Sequence, residues 1–211
     1  MGHPSSPRLL VLHALRLKGI AETDVVVAHT GLGEQVVRDE LSSLADADLV
    51  RERGGRINGH ALTPEGKTLG ARLLAEELEA CGGRPAVDAA YREFLEFNDR
   101  LLSVCTAWQL REVDGESHIN DHSDPAYDRE VHRRLEELHA RVVPVLDALA
   151  EVLDRFDGHR VRLQTALDRV LAGEHDWFTK PMFPSYHSVW FELHEDLLAT
   201  LGTERASEGL H

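Results

Sequence analysis

The sequence predicts a mainly α protein, with an α+β domain over residues 1–82 followed by an all-helical bundle domain over residues 83–211. Apolar residues recur at helical spacing along most of the chain, whereas residues 49–62 alternate around a glycine-rich turn and predict a β-hairpin. Between the two parts, Cys81–Pro85 contains two glycines and a proline, which interrupt a long helix. We therefore expect the domain boundary at this segment.

Three helices, the hairpin and a fourth helix are predicted in the first part. Glycines follow the first two helices, and the third has an inward stripe of apolar residues at i, i+4 and i+7. Thr63 is a good N-cap and Pro64 suits the first helical position, so the fourth helix opens directly after the hairpin. The predicted helices are Pro7–Lys18, Ala21–His29, one that begins near Glu34, and one that runs from Thr63 toward Glu79.

The second part contains four predicted amphipathic helices and two polar loops. The helices are Ala86–Arg111, Tyr127–Phe156, Arg160–Leu171 and Ser185–Leu201, and the loops are Val113–Ala126 and Gly173–Pro184. Pro144 falls inside the second of these helices, where proline removes a backbone hydrogen bond. We expect a kink or a break there.

A resemblance to a known family rests on Leu62-Thr63-Pro64-Glu65-Gly66-Lys67, which is similar to the wing-exit signature of MarR-type and related bacterial regulators. Residues 33–53 also resemble the recognition helix and first wing strand of that family. The resemblance covers residues 7–80 and implies a winged helix-turn-helix module that binds double-stranded DNA and regulates transcription. MarR-type proteins usually have a dimerising helix before this module. Here the predicted module begins at residue 7, so such a helix is not expected before it. We therefore expect a homodimer held together by the C-terminal part.

Seven residues are predicted to contact DNA. Side chains from the N-terminal half of the third helix would reach base edges in the major groove, and side chains of the hairpin would meet phosphates or the minor groove. The helix residues are Gln35, Arg38 and Asp39, and the hairpin residues are Arg51, Arg53, Arg56 and Asn58. The alternative is that these are ordinary solvated charges.

The distribution of charge along the chain affects the predicted binding to DNA. The net charge is -14, but residues 1–80 carry 9 Lys/Arg and 12 Asp/Glu, so most of the acidity lies in the helical part. Glu34, Asp39 and Glu40 nevertheless place negative charge near the predicted DNA surface and would weaken phosphate contacts. Affinity from one copy is therefore expected to be modest, and a dimer would add contacts.

Histidines, aspartates and aromatic residues mark a possible ligand site in the helical part. Imidazole and carboxylate at short spacing can bind a transition metal, and an aromatic wall beside an ammonium group can hold a small-molecule effector. The metal candidates are His118, Asp121, His122 and Asp124, and the ligand candidates are His118, His122, Trp177, Lys180, Tyr186, His187, Trp190 and His194. The alternative is that an aspartate caps the next helix and the histidines and aromatic residues belong to the core.

A second resemblance suggests a different class of function. Residues 120–124 and 186–195 are similar to an actinobacterial helical domain associated with pyruvate phosphate dikinase-like enzymes. It implies the alternative of a protein-interaction module that regulates a phosphotransfer enzyme without binding DNA. The sequence shows no phosphate-binding loop and no nucleophile elbow, so we do not expect an enzyme. Two cysteines and no long apolar run favour a cytoplasmic protein.

Overall fold

The computed structural model describes residues 2–55, 58–113 and 115–203, and within these ranges it is mostly helical. The prediction of a mainly α protein is confirmed. No helix of the described residues combines the length and the apolar character needed to span a bilayer. The described residues build two large buried apolar clusters, one in the N-terminal part and one in the helical part.

The N-terminal part contains three helices and a three-stranded antiparallel sheet. In chain order the elements are α1 (Pro7–Lys18), β1 (Ile20–Ala21), α2 (Thr23–Thr30), α3 (Glu34–Asp46), β2 (Val50–Arg53) and β3 (Gly59–Leu62), and the strand order is β1-β3-β2. The register pairs Arg51 with Ala61 and Arg53 with Gly59. The α3 stripe of Val37, Leu41 and Leu44 is buried as predicted.

Helix α4 (Pro64–Ala80) follows the sheet directly, as the Thr63-Pro64 pair predicts. The Thr63 hydroxyl accepts a hydrogen bond from the Gly66 amide at 3.0 Å and donates to the carbonyl of Asp48 at 2.9 Å. A side chain at Gly66 would place its Cβ 2.0 Å from the Leu49 carbonyl oxygen. Glycine is therefore required where α4 leaves the sheet.

Long helices form most of the second part. Its elements are α5 (Arg84–Gln109), β4 (Leu110–Val113), β5 (Glu116–Ile119), α6 (Pro125–Val152), a 3₁₀ turn (Asp154–Phe156), α7 (Asp157–Leu171), α8 (Asp176–Thr179) and α9 (Tyr186–Leu201). Leu78, near the end of α4, is buried in the apolar cluster of these helices. A third small cluster of Leu9, Leu74 and Ala199 joins α1, α4 and α9.

Several predicted boundaries in this part are wrong. The helix expected to reach Arg111 ends at Gln109, and the loop expected at Val113–Ala126 contains most of an antiparallel β4–β5 hairpin. The loop expected at Gly173–Pro184 contains α8. The hairpin has a physical reason, because Asp114-Gly115 is a hairpin-turn pair in the sequence and Gly115 has φ of 83°.

Helix α6 continues through Pro144 to Val152, so the break that was one of the two predicted outcomes does not occur. Proline has no amide hydrogen, so the carbonyl of Ala140 loses its helical donor there. Ala140 and Pro144 are both exposed, and water can serve that carbonyl. The helix does end before Phe156, which belongs to the 3₁₀ turn instead.

Candidate functional site

Helix α3 presents the predicted DNA-contacting residues on its exposed side. Gln35, Arg38 and Asp39 are all exposed, opposite the buried stripe. Arg38 donates to Glu34 Oε1 at 2.6 Å, and Gln35 Nε2 donates to Asp39 Oδ1 at 2.8 Å. Exposed pairs of this kind contribute about 0–1 kcal/mol, so these side chains can exchange their partners for others at small cost.

The β2–β3 hairpin carries the other predicted contacts. Arg51 and Arg53 on β2 are exposed, and neither forms an ion pair with another described residue. Asn58 accepts a hydrogen bond from the Gly55 amide at 2.9 Å, so its side chain shapes the turn. Arg56, the remaining predicted contact, lies outside the described residues.

Helix α3 and strand β2 pack against one another, and both carry exposed predicted DNA contacts. An α-helix fits the major groove of duplex DNA, and a neighbouring arginine-bearing hairpin can reach phosphates. Glu34, Asp39 and Glu40 remain on the same helix: Glu34 pairs with Arg38, Glu40 accepts from Arg8 at 3.1 Å, and Asp39 accepts from the neutral amide of Gln35. Among the described residues of α3 and β2, Arg51 and Arg53 are unpaired cationic groups that can meet a polyanion.

The predicted metal-binding residues are not arranged as a metal site. Asp124 is the N-cap of α6 and accepts from the amides of Ala126 and Tyr127, so the helix-capping alternative is confirmed. Asp121 accepts from Ser123, and these hydrogen bonds lower the pKa of its carboxyl group. His118 is exposed on β5. Among the described residues no group of three His, Cys, Asp or Glu side chains has metal-binding geometry.

His122 belongs to an aromatic cluster that was not predicted from the sequence. Its ring lies 4.2 Å from Trp108, and Trp108 stacks on Phe178 at 4.6 Å with an interplanar angle of 6°. His122 Nδ1 also lies 3.1 Å from Asp128 Oδ2, which fixes the ring. The cluster is built from residues of α5, α6 and α8 and the segment between β5 and α6, and it joins these elements.

Three predicted ligand residues lie in the core of the bundle. The Tyr186 hydroxyl is 3.2 Å from His139 Nδ1, Trp190 Nε1 donates to Asn98 at 3.0 Å, and His194 lies edge-on to Phe94. Burial raises the pKa of the Tyr186 hydroxyl above its ordinary range. These residues support the core alternative of the sequence analysis.

The remaining ligand candidates lie in and after α8. Trp177 packs edge-on against Phe183, Lys180 pairs with Asp176 at 2.6 Å, and His187 is half-buried on α9. The structure does not gather the eight ligand candidates into one cavity. None of them lines the cavity between the N-terminal helices and α7 and α9.

A cavity of about 460 Å³ lies between α1 and α2 on one side and α7, α9 and the 3₁₀ turn on the other. We call it the interface cavity. Its lining residues are separated by up to 192 positions in the sequence, so no local pattern could have revealed it. They are Pro4, Ser5, Leu10, His13, Ala28, His29, Thr30, Gly31, Asp154, Arg155, Asp157, Gly158, His159, Val161, Arg162 and Asp196.

Asp196 is the centre of a buried polar network beside the interface cavity. Its carboxylate accepts from Arg155, from His159 Nε2 at 2.8 Å and from the Thr200 hydroxyl at 3.1 Å, and His13 Nε2 lies 2.9 Å away. Burial raises the pKa of Asp196, but the Arg155 charge and these neighbours outweigh it and hold the pKa well below its usual range. The network thereby links α1 to α7 and α9.

Comparisons of the chain with protein-family models, with curated proteins and with solved structures find no match.

Proposed function

We propose that this protein binds double-stranded DNA through α3 and the β2–β3 hairpin, as a winged helix-turn-helix regulator of transcription. The element order α1-β1-α2-α3-β2-β3 supports the assignment of α3 as the recognition helix and of the hairpin as the wing. The observation that carries the proposal is the exposure of the predicted contacts on α3 together with that of Arg51 and Arg53, which have no ion-pair partner among the described residues.

Dimerisation belongs to the same proposal. One module covers one half-site, and regulators of this shape bind two half-sites about one helical turn apart. We expect the helical part to join the two copies. One module carries few cations, and each phosphate neutralised adds to the affinity for DNA. A second copy would therefore raise the affinity of the dimer above that of one module.

The experiment measures binding of a fluorescein-labelled 30-base-pair duplex pool of random sequence at low salt. Arg51→Glu/Arg53→Glu should lower affinity at least tenfold, because two phosphate contacts are lost and two repulsions are gained. It should also reduce the slope of log K against log salt by about 2. Arg129→Glu on α6 is the control with the same type of charge reversal on an exposed arginine, and it should bind as the wild type does.

A second candidate function is docking to a protein, as the alternative resemblance implies. The net charge of -14 and the local pairing of Arg38 with Glu34 favour it, because both reduce attraction to a polyanion. If the wild type and the Arg51→Glu/Arg53→Glu variant show the same weak binding and the same salt slope, the DNA proposal fails and the docking candidate gains.

A further inference from the structure

Both arginines that line the interface cavity are already paired with carboxylates. Arg155 donates to Glu77 at 3.2 Å, to Thr200 at 2.7 Å and to Asp196, and its side chain is 4% exposed. Arg162 bonds to Glu192 and lies 3.0 Å from His159 Nδ1. An anionic ligand would therefore lose its water without finding a free counter-charge on either arginine, which is unfavourable.

Two of the histidines that line the interface cavity are held uncharged. Burial, and then the charge of Arg162, lower the pKa of His29 to about 2, and burial also lowers the pKa of His159. His159 donates through Nε2 to Asp196 and accepts at Nδ1 from Arg162, so one neutral tautomer satisfies both contacts. These rings offer hydrogen bonds without offering positive charge.

Unsatisfied polar atoms concentrate at this cavity. Among the described residues, Ser5 Oγ, His13 Nδ1 and His29 Nδ1 are buried and have no hydrogen-bond partner, and all three residues line it. A buried polar atom without a partner costs about 1–3 kcal/mol. Pro4, Leu10, Ala28 and Val161 add apolar surface to the same lining. The lining thus combines apolar contacts with polar atoms that have no hydrogen-bond partner in the part of the chain that the structure describes.

We propose that the interface cavity is a binding site for an uncharged organic molecule of one or two rings that carries a hydroxyl or amide group. The volume of about 460 Å³ lies within the range of sites for small organic ligands, and such sites are mostly apolar with a few convergent polar groups. The apolar lining contacts the rings, while small shifts of the Ser5, His13 and His29 side chains give the ligand hydrogen bonds. The site does not depend on whether α3 binds DNA.

The test uses 2-naphthol as the uncharged probe and 2-naphthoate as the anionic probe of similar shape, both titrated into the full chain by calorimetry at pH 7. We expect 2-naphthol to bind at least tenfold more tightly than 2-naphthoate. Ala28→Trp should weaken 2-naphthol binding at least tenfold by filling the cavity. Ala71→Trp, on the exposed side of α4, is the matched control and should leave binding unchanged.

Ala28 is exposed at the rim of the cavity, and circular dichroism should show that the Ala28→Trp variant folds. Val161→Trp, at a residue that is 51% exposed on the opposite wall, gives a second blocking variant if the first does not fold. The proposal is overturned by no detectable 2-naphthol binding, by equal or tighter 2-naphthoate binding, or by undiminished binding in a folded blocking variant.

A second readout locates the probe. In protein labelled with ¹⁵N-histidine, the ring signals of His13, His29 and His159 should shift as 2-naphthol is added, because these residues line the cavity. The signal of exposed His118 should stay in place. Shifts confined to other histidines would place the probe elsewhere and overturn the assignment.

Discussion

Asp196→Ala removes the carboxylate that joins α1 to the helical part. In the wild type this group is 3% exposed and contacts Arg155, His159, Thr200 and His13. After the substitution, Arg155 keeps only Glu77 as a counter-charge, and the polar atoms around the lost group remain buried. The substitution therefore leaves the buried Arg155 guanidinium with one carboxylate partner instead of two.

The expected magnitude follows from this burial. Removing one partner from a buried, hydrogen-bonded charge network destabilises a protein by about 3–5 kcal/mol. The pKa of Asp196 in the folded protein lies well below its usual range. The ionised carboxylate therefore contributes fully to the free energy of unfolding above the pKa of the unfolded chain, about 3.9, and this contribution is lost as pH falls through the pKa of the folded protein. The difference between wild type and variant should therefore be the same at pH 7 and pH 5.

Urea unfolding, followed by circular dichroism at both pH values, measures the free energy of unfolding. Asp147→Ala is the matched control, since Asp147 is 56% exposed and lies 3.5 Å from Arg160. Exposed pairs contribute about 0–1 kcal/mol, so the control should change little. A loss below about 1 kcal/mol for Asp196→Ala would refute the reasoning that this network stabilises the fold.

Three further predictions concern packing and ionisation. Gly66→Ala should destabilise the fold by about 1–3 kcal/mol in urea unfolding, because its Cβ would overlap a carbonyl, whereas Gly158→Ala in open space should not. Burial, and then Arg162, lower the pKa of His29 to about 2, so the free energy of unfolding should fall by about 1.4 kcal/mol per pH unit below 6.5 from this group. His29→Gln should remove that part of the slope and His118→Gln should not; equal slopes would contradict the assignment. Burial raises the pKa of the Cys105 thiol to about 12, so Ellman's reagent should modify it only on unfolding, and rapid modification of the folded protein would refute this.

Local patterns were sufficient to predict much of the N-terminal part. The α3 stripe and the Thr63-Pro64 start of α4 each depend on residues close in sequence, and both lie where they were expected. The β4–β5 hairpin was missed because Leu110–Val113 continues the apolar pattern of the preceding helix, and the Asp114-Gly115 turn signal was not weighed against it.

For the candidate sites too, features that depend on local sequence could be predicted, whereas those that depend on tertiary packing could not. The exposure of Arg38, Arg51 and Arg53 follows from local periodicity, and the prediction agrees with their positions. The interface cavity and its network could not be predicted, because residues such as His13 and Asp196 meet only through tertiary packing. For the same reason, the burial of the predicted ligand residues Tyr186 and Trp190 by their neighbours could not be predicted.

Selection of bound duplexes from a random-sequence library tests DNA binding by α3 and the hairpin most directly. We expect the wild type to enrich a two-fold symmetric motif with half-sites about 10 base pairs apart, and Arg51→Glu/Arg53→Glu to enrich none. Failure of the wild type to enrich any motif, or enrichment of the same motif by the double variant, would contradict the account.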